Sequence, residues 1–214
     1  MSESAVSIEP GLVPFWRQPR VLDRIEQAGI LVLWSWFIFR VGAAHDPFAW
    51  LAAVSETSVA LFTLVRRPTA AISVRLGDWL LAMTATLGPM LIVFGHSPWP
   101  QVTNVCIGLL LCGNLFQIWA KLTLRRSFGV APANRGVKAG GPYRLVRHPM
   151  YAGYLITHLG VLLMWPSLTN LAVYAVVWTA QILRLRKEEE LLGQDPAYRA
   201  FMAKTRWRLV PGVF

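Results

Sequence analysis

Five apolar runs, at residues 28–44, 47–65, 78–95, 101–120 and 150–183, decide what this chain can fold into. Each approaches or exceeds the ~20 residues a helix needs to cross the hydrocarbon core of a bilayer. Only 15% of the 214 residues are charged, against about a quarter in soluble domains. The expectation is an all-α, polytopic membrane protein.

The formal charge of +10 raises nucleic acid as a partner, but its placement argues against one. Basic residues fall at 17–24, 66–75, 121–147 and 184–208, and of 21 Lys and Arg only Arg40 lies elsewhere, near the end of the first run. The alternate connections at 45–46, 96–100 and 165–170 carry none. That asymmetry is the positive-inside pattern and places both termini in the cytoplasm. The charge is thus topological, with anionic membrane lipid as a secondary partner. The excess of Arg over Lys reads as a GC-rich bacterial genome, hence a bacterial inner membrane. No cleavable signal peptide is expected, because the first apolar run begins well into the chain. Pro10, Pro14 and Pro19 keep residues 1–23 from forming a long helix, and Phe15, Trp16, Arg17 and Arg20 read as an interfacial anchor.

Several residues inside the runs stand out. Glu56 lies mid-span, where an ionised carboxylate costs at least about 2.5 kcal/mol; a buried structural acid is favoured over a substrate or proton contact, and His158 is read the same way. Asn114 and Gln117 are expected to make interhelical hydrogen bonds, and Pro89 to kink the third span. Cys106 and Cys112, six residues apart on one helix, cannot form a disulfide and read as packing residues. Arg40 either snorkels outward or pairs within the bundle. No metal site is expected, and oligomeric state has no signature in the sequence.

The C-terminal part differs. A basic, glycine-containing loop follows Lys121, then GGPYRLVRHPMYAGY at Gly140–Tyr154, then an apolar hairpin broken at Trp165-Pro166-Ser167. Pro149 suits the first position of a helix, with His148 flanking it. An arm over 150–164 is about 22 Å long, whereas its return over 168–190 is about 34 Å. The second arm therefore overhangs the first and brings Arg184, Glu188 and Glu189 back beside His148. Arg147 and His148 at a helix start favour an anion; Tyr143 and Tyr151 add aromatic faces, and Arg184 is placed to pair with Glu188. A zwitterionic, nucleoside-containing cofactor would match that set, and so would a charge cluster that only fixes topology.

These residues resemble the isoprenylcysteine carboxyl methyltransferase family, with its relatives the phospholipid methyltransferases. The matching pattern is G-P-Y-R-x-x-R-H-P-x-Y-x-G at Gly141–Gly153, followed by R-x-x-x-E-E at Arg184, Glu188 and Glu189. The likeness covers residues 120–214, including Tyr198 and the basic segment before Pro211. The apolar pattern gives four spans at 24–122 behind an interfacial segment at 1–23, and the likeness implies a catalytic region at 123–214 with a membrane hairpin at 150–187 and a cytosolic cofactor-binding segment. It further implies an S-adenosylmethionine site lined by Tyr143, His148, Tyr151, Glu188 and Glu189, with Arg147 and Arg184 orienting the methyl acceptor. That acceptor would be a lipophilic small molecule, most simply the carboxylate of an isoprenylcysteine-like compound. The alternatives are methylation of a phospholipid amine, a NADPH-dependent sterol-type reductase of similar membrane architecture, and a non-catalytic membrane protein.

Overall fold

A computed structural model describes residues 18–67, 75–130 and 136–214. Every regular element among them is helical: α1 (Pro19–Ala43), α2 (Ala49–Val65), α3 (Leu76–Leu87), α4 (Thr103–Leu124), α5 (Pro149–Met164), α6 (Leu168–Leu192) and α7 (Pro196–Lys204). Val21–Ala43, Pro100–Ser127 and Leu168–Leu192 are long and apolar enough to cross a membrane, and α2 and α5 are shorter apolar helices. Large apolar side chains such as Phe39, Leu61 and Leu115 remain exposed on the outside, where lipid rather than water would solvate them. The protein is an all-α membrane protein.

The predicted boundaries shift in two places. α1 starts at Pro19 rather than residue 24, because proline at the first helical position gives up only an N–H with no helical partner. Phe15, Trp16 and Arg17 of the expected anchor lie outside the described residues, and of Arg20 the backbone alone is described.

The run at 78–95 is not one continuous helix. α3 stops at Leu87, Gly88–Leu91 tightens into a 3-10 turn around Pro89, and residues 92–97 are non-helical. The break is larger than the expected kink, and side chains satisfy the backbone it frees. Arg40 donates from Nη1 to Met90 O and from Nη2 to Ile92 O, both at 2.8 Å. Asn170 accepts from Val93 N at 2.8 Å and donates to Val93 O at 2.9 Å. Irregular backbone at membrane depth survives where protein buries it in this way. Arg40 therefore pairs within the bundle.

α4 and α5 form the tightest helix pair. Glycines allow the approach: a Cβ at Gly153 would lie 2.7 Å from both Cβ and backbone N of Gln117. Around that seam Asn114 donates to Leu51 O at 2.7 Å, and Gln117 accepts from Ser55 Oγ at 3.3 Å, as interhelical polar residues do. The buried Lys121 donates to Ser58 Oγ and Gln117 Oε1, both at 2.6 Å, and lies over the Tyr154 ring. At the basic end of the bundle Arg66 joins α2 to α1 through Asp23 and Glu26.

The hairpin turns at Trp165–Ser167, where Ser167 Oγ caps α6 by accepting from Asn170 N at 3.0 Å. Since α5 has 16 residues and α6 has 25, α6 is longer by about 13 Å. Its last turns project past the start of α5.

Candidate active site

The projecting turns of α6 carry Glu188 and Glu189 to the residues that open α5. Pro149 occupies the first helical position and His148 is the N-cap. Ahead of them Gly140–Arg144 turns tightly. Gly141 sits at φ +56°, and a Cβ there would lie 2.8 Å from Thr123 Oγ1 on α4. Glycine is needed on both counts. The turn leaves Tyr143 buried against the core.

Glu189 is the electrostatic hub. Its Oε1 lies 2.8 Å from Arg147 Nε and 3.1 Å from His148 Nε2, and its Oε2 accepts from Arg208 Nε at 2.8 Å. The Arg147 contact is an ion pair whose N–H is not aligned for a hydrogen bond. Glu188 faces elsewhere and accepts from the Tyr151 hydroxyl at 2.8 Å. The Tyr151 ring stacks on His148 with centroids 5.6 Å apart. Arg184 lies over the same ring at 5.2 Å and donates from Nη2 to Gly129 O at 3.3 Å. The expected helical pair of Arg184 with Glu188 is replaced by these contacts: the guanidinium reaches across to α5 and the loop.

The tail closes this arrangement. Arg147 N donates to Trp207 O at 2.8 Å and His148 N to Arg208 O at 2.9 Å, while Thr205 Oγ1 donates to Tyr143 O at 3.3 Å. α7, capped by Asp195 accepting from Ala197 N at 2.8 Å, sets Tyr198 beside the cleft. These two amides were expected to favour an external anion. They are spent on the tail, and the anion beside His148 is the protein's own Glu189.

Between α4, α5, α6 and α7 lies an open cleft with about 770 Å³ of empty space, its mouth included. Tyr143, Arg147, His148, Tyr151, Arg184 and Glu188 line it; Glu189 does not. Two buried donors on its wall, Tyr198 Oη and Arg184 Nε, have no hydrogen-bond partner. Burial, reinforced by Glu188 and Glu189, holds the Tyr198 hydroxyl above the usual tyrosine range against the opposing Arg147 and Arg208. Burial and Glu188 do the same to Tyr143. Both stay protonated at neutral pH and can donate. Unspent donors, a carboxylate and aromatic faces suit a ligand carrying a base, hydroxyls and charge of both signs.

Arg208 is the site residue that sequence reasoning missed. It is visible in the sequence only as one of several basic residues before Pro211, and its role appears once the tail pairs with the loop ahead of α5. Among the described residues no group of three or more His, Cys, Asp and Glu side chains is placed to hold a metal ion.

Residues 102–195 match the phospholipid methyltransferase family. Over 121 residues the chain is 29% identical to protein-S-isoprenylcysteine O-methyltransferase A of Arabidopsis thaliana, covering 54% of this chain and 61% of that protein. Over 139 residues it is 27% identical to cobalt-zinc-cadmium resistance protein CzcN of Cupriavidus metallidurans, covering 61% of each. The chain thus spans about three fifths of the length of these curated relatives. The matched segment is the one that builds α4, the turn at Gly141 and the α5–α6 hairpin, and over it the chain is similar to the phospholipid methyltransferases and to an isoprenylcysteine O-methyltransferase.

Proposed function

We propose that the cleft binds S-adenosylmethionine and that the protein methylates a lipophilic acceptor in the membrane, on the carboxylate of an isoprenylcysteine-like molecule. The observation that carries this reading is the pairing of unspent donors with an acid in one aromatic cleft: Tyr198 Oη and Arg184 Nε lack partners, and Glu188 shares their wall. In this reading Glu188 takes ribose hydroxyls or the cofactor's ammonium, and Tyr143 and Tyr151 lie along the adenine. His148 contributes to the same wall. Glu189 acts through its neighbours, holding Arg147, His148 and Arg208 in place. The basic flanks of the helices support a cytoplasmic cleft and cytoplasmic termini, in a bacterial inner membrane.

When bound, S-adenosylmethionine supplies a methyl group on a positively charged sulfur. A carboxylate acceptor needs no base, so the work left to the protein is alignment and exclusion of water. Of the two arginines, Arg184 is the better acceptor ligand, since Arg147 is already paired with Glu189. Arg184→Gln is expected to lower kcat/KM for the acceptor about 10- to 150-fold, the value of a charge-assisted hydrogen bond. S-adenosylhomocysteine affinity should change less than about threefold; a larger loss there would assign Arg184 to the cofactor instead.

The direct test is calorimetry on the detergent-purified protein with S-adenosylmethionine, S-adenosylhomocysteine and NADPH. Saturable binding of the first two and none of the third is expected. Binding of NADPH alone would favour the reductase reading, and no binding by folded protein would leave the cluster as a topological device. The family matched over residues 102–195 favours a second acceptor, a phospholipid amine. An amine must lose a proton as it is methylated, which two arginines beside the acceptor do not assist. Mass analysis of lipids from expressing cells separates the two: methylated headgroup amines would replace the carboxylate reading.

A further inference from the structure

One turn deeper than the cleft, two small cavities lie inside the helical bundle. Glu56, Tyr154, His158 and Gln181 wall the first. The second shares Glu56 and His158 and adds Ser55, Thr157 and Tyr174. Each leaves about 10 Å³ for the centre of a water molecule, at the lower limit of ~10–15 Å³ for a void that holds one.

The walls mix apolar side chains with polar groups, two of which are unpaired. Glu56 is 5% exposed. His158 Nδ1 and Gln181 Oε1 are buried without a hydrogen-bond partner. The Gln181 amide nitrogen donates to Ala85 O at 3.3 Å, which leaves its oxygen as the free acceptor. Lys121 Nζ is committed to Ser58 and Gln117, and Thr157 Oγ1 to Gly153 O. The amide oxygen and the imidazole nitrogen beside these voids need a small partner that can hydrogen-bond to them, with the Glu56 carboxyl next to it. Cavities that stay empty are lined by apolar groups. Pro89, where α3 breaks, borders both cavities, and broken helices in membrane proteins are tolerated where they are buried or line hydrated space.

We propose that the two cavities are water sites, one molecule in each, which tie Glu56, His158 and Gln181 into a single hydrogen-bonded cluster within the membrane interior. The waters meet the orphaned acceptors and let a carboxyl and an imidazole sit at bilayer depth. The cluster lies behind Tyr154 and Gln181, whereas Tyr151 and Arg184 face the cleft. It therefore stands whether or not the cleft binds S-adenosylmethionine.

The test is a crystal structure of the full chain grown in lipid, with a second crystal pressurised with xenon. One solvent peak is expected in each cavity, within hydrogen-bond distance of Glu56 or His158, with the first cavity's peak also reaching Gln181 Oε1, and no xenon in either. Empty density, bound xenon, or a peak with the short contacts of a metal cation would overturn the proposal. The thermal midpoint of His158→Phe gives an independent reading. Phenylalanine keeps a ring and removes the unpaired nitrogen. In a dry void that change is neutral or stabilising, whereas in a hydrated one it strips a water of its partner and lowers the midpoint by several degrees. A midpoint at or above that of the wild type overturns the proposal.

Discussion

Glu189→Gln is expected to weaken S-adenosylhomocysteine binding roughly 30- to 150-fold, although Glu189 does not itself line the cleft. The carboxylate lies between Arg147, His148 and Arg208. Glutamine keeps its size but removes the charge, and its amide N–H groups would face donors. Deleting one partner of a buried ion pair costs about 3–5 kcal/mol. Arg208 is 38% exposed, so solvent recovers part of that, and about 2–3 kcal/mol should reach the cleft. The loss should travel through the tail, because Arg208 is the side-chain tie between α6 and residues that hold Arg147 N and His148 N through Trp207 O and Arg208 O. Limited proteolysis should therefore cut the Glu189→Gln tail faster than the wild-type tail. Glu188→Gln should also weaken binding but leave the tail protected, since Glu188 accepts from the Tyr151 hydroxyl on α5 and not from Arg208. Wild-type affinity in Glu189→Gln, or equal tail cleavage in both variants, would remove Glu189 from this positioning role.

How far the site was legible in the sequence follows from what each residue depends on. The meeting of His148 with Glu189 rests on two helix lengths and one turn, and both lengths can be read from the apolar pattern and from Pro149 and Pro166. The division of labour between the paired acids could not be read. Adjacent residues on a helix point about 100° apart, so one acid must face the cleft and the other the loop ahead of α5, but which does so depends on the rotation of α6 about its axis. Arg208 depends on a tail with no periodicity, folded back through backbone bonds that no side-chain pattern announces. Hydropathy also misled at 78–95. The run stays apolar through Phe94, yet helix ends at Leu87 because Gly88-Pro89 interrupts it and Arg40 and Asn170 hydrogen-bond to the backbone groups set free. Conversely, the polar residues expected to bridge helices, Asn114 and Gln117, do so, because a buried amide in lipid has few other places to bond.

Gly153→Ala should cost about 2–3 kcal/mol of stability, while Gly108→Ala on the facing helix should cost nothing. Both glycines lie inside helices, where replacing glycine by alanine ordinarily gains up to about 1 kcal/mol. The surroundings reverse the sign at one of them. A methyl at Gly108 meets nothing within 4 Å, whereas at Gly153 it would lie 2.7 Å from Gln117 N and 2.9 Å from Gly113 O. Backbone atoms cannot rotate aside, so α4 and α5 must separate, and overpacking of this kind costs about 1–3 kcal/mol. Separation also pulls Gln117 away from Thr157 and disturbs the bonds it shares with Lys121. Gly153 closes the motif that begins at Gly141, so lost activity alone would look like damage to the cleft. Thermal midpoints in detergent distinguish the two: a fall for Gly153→Ala and none for Gly108→Ala makes the motif's last glycine a packing residue. Equal midpoints with activity lost only in Gly153→Ala would move that glycine into the site itself, and the motif would then describe chemistry along its whole length rather than chemistry held up by a helix contact.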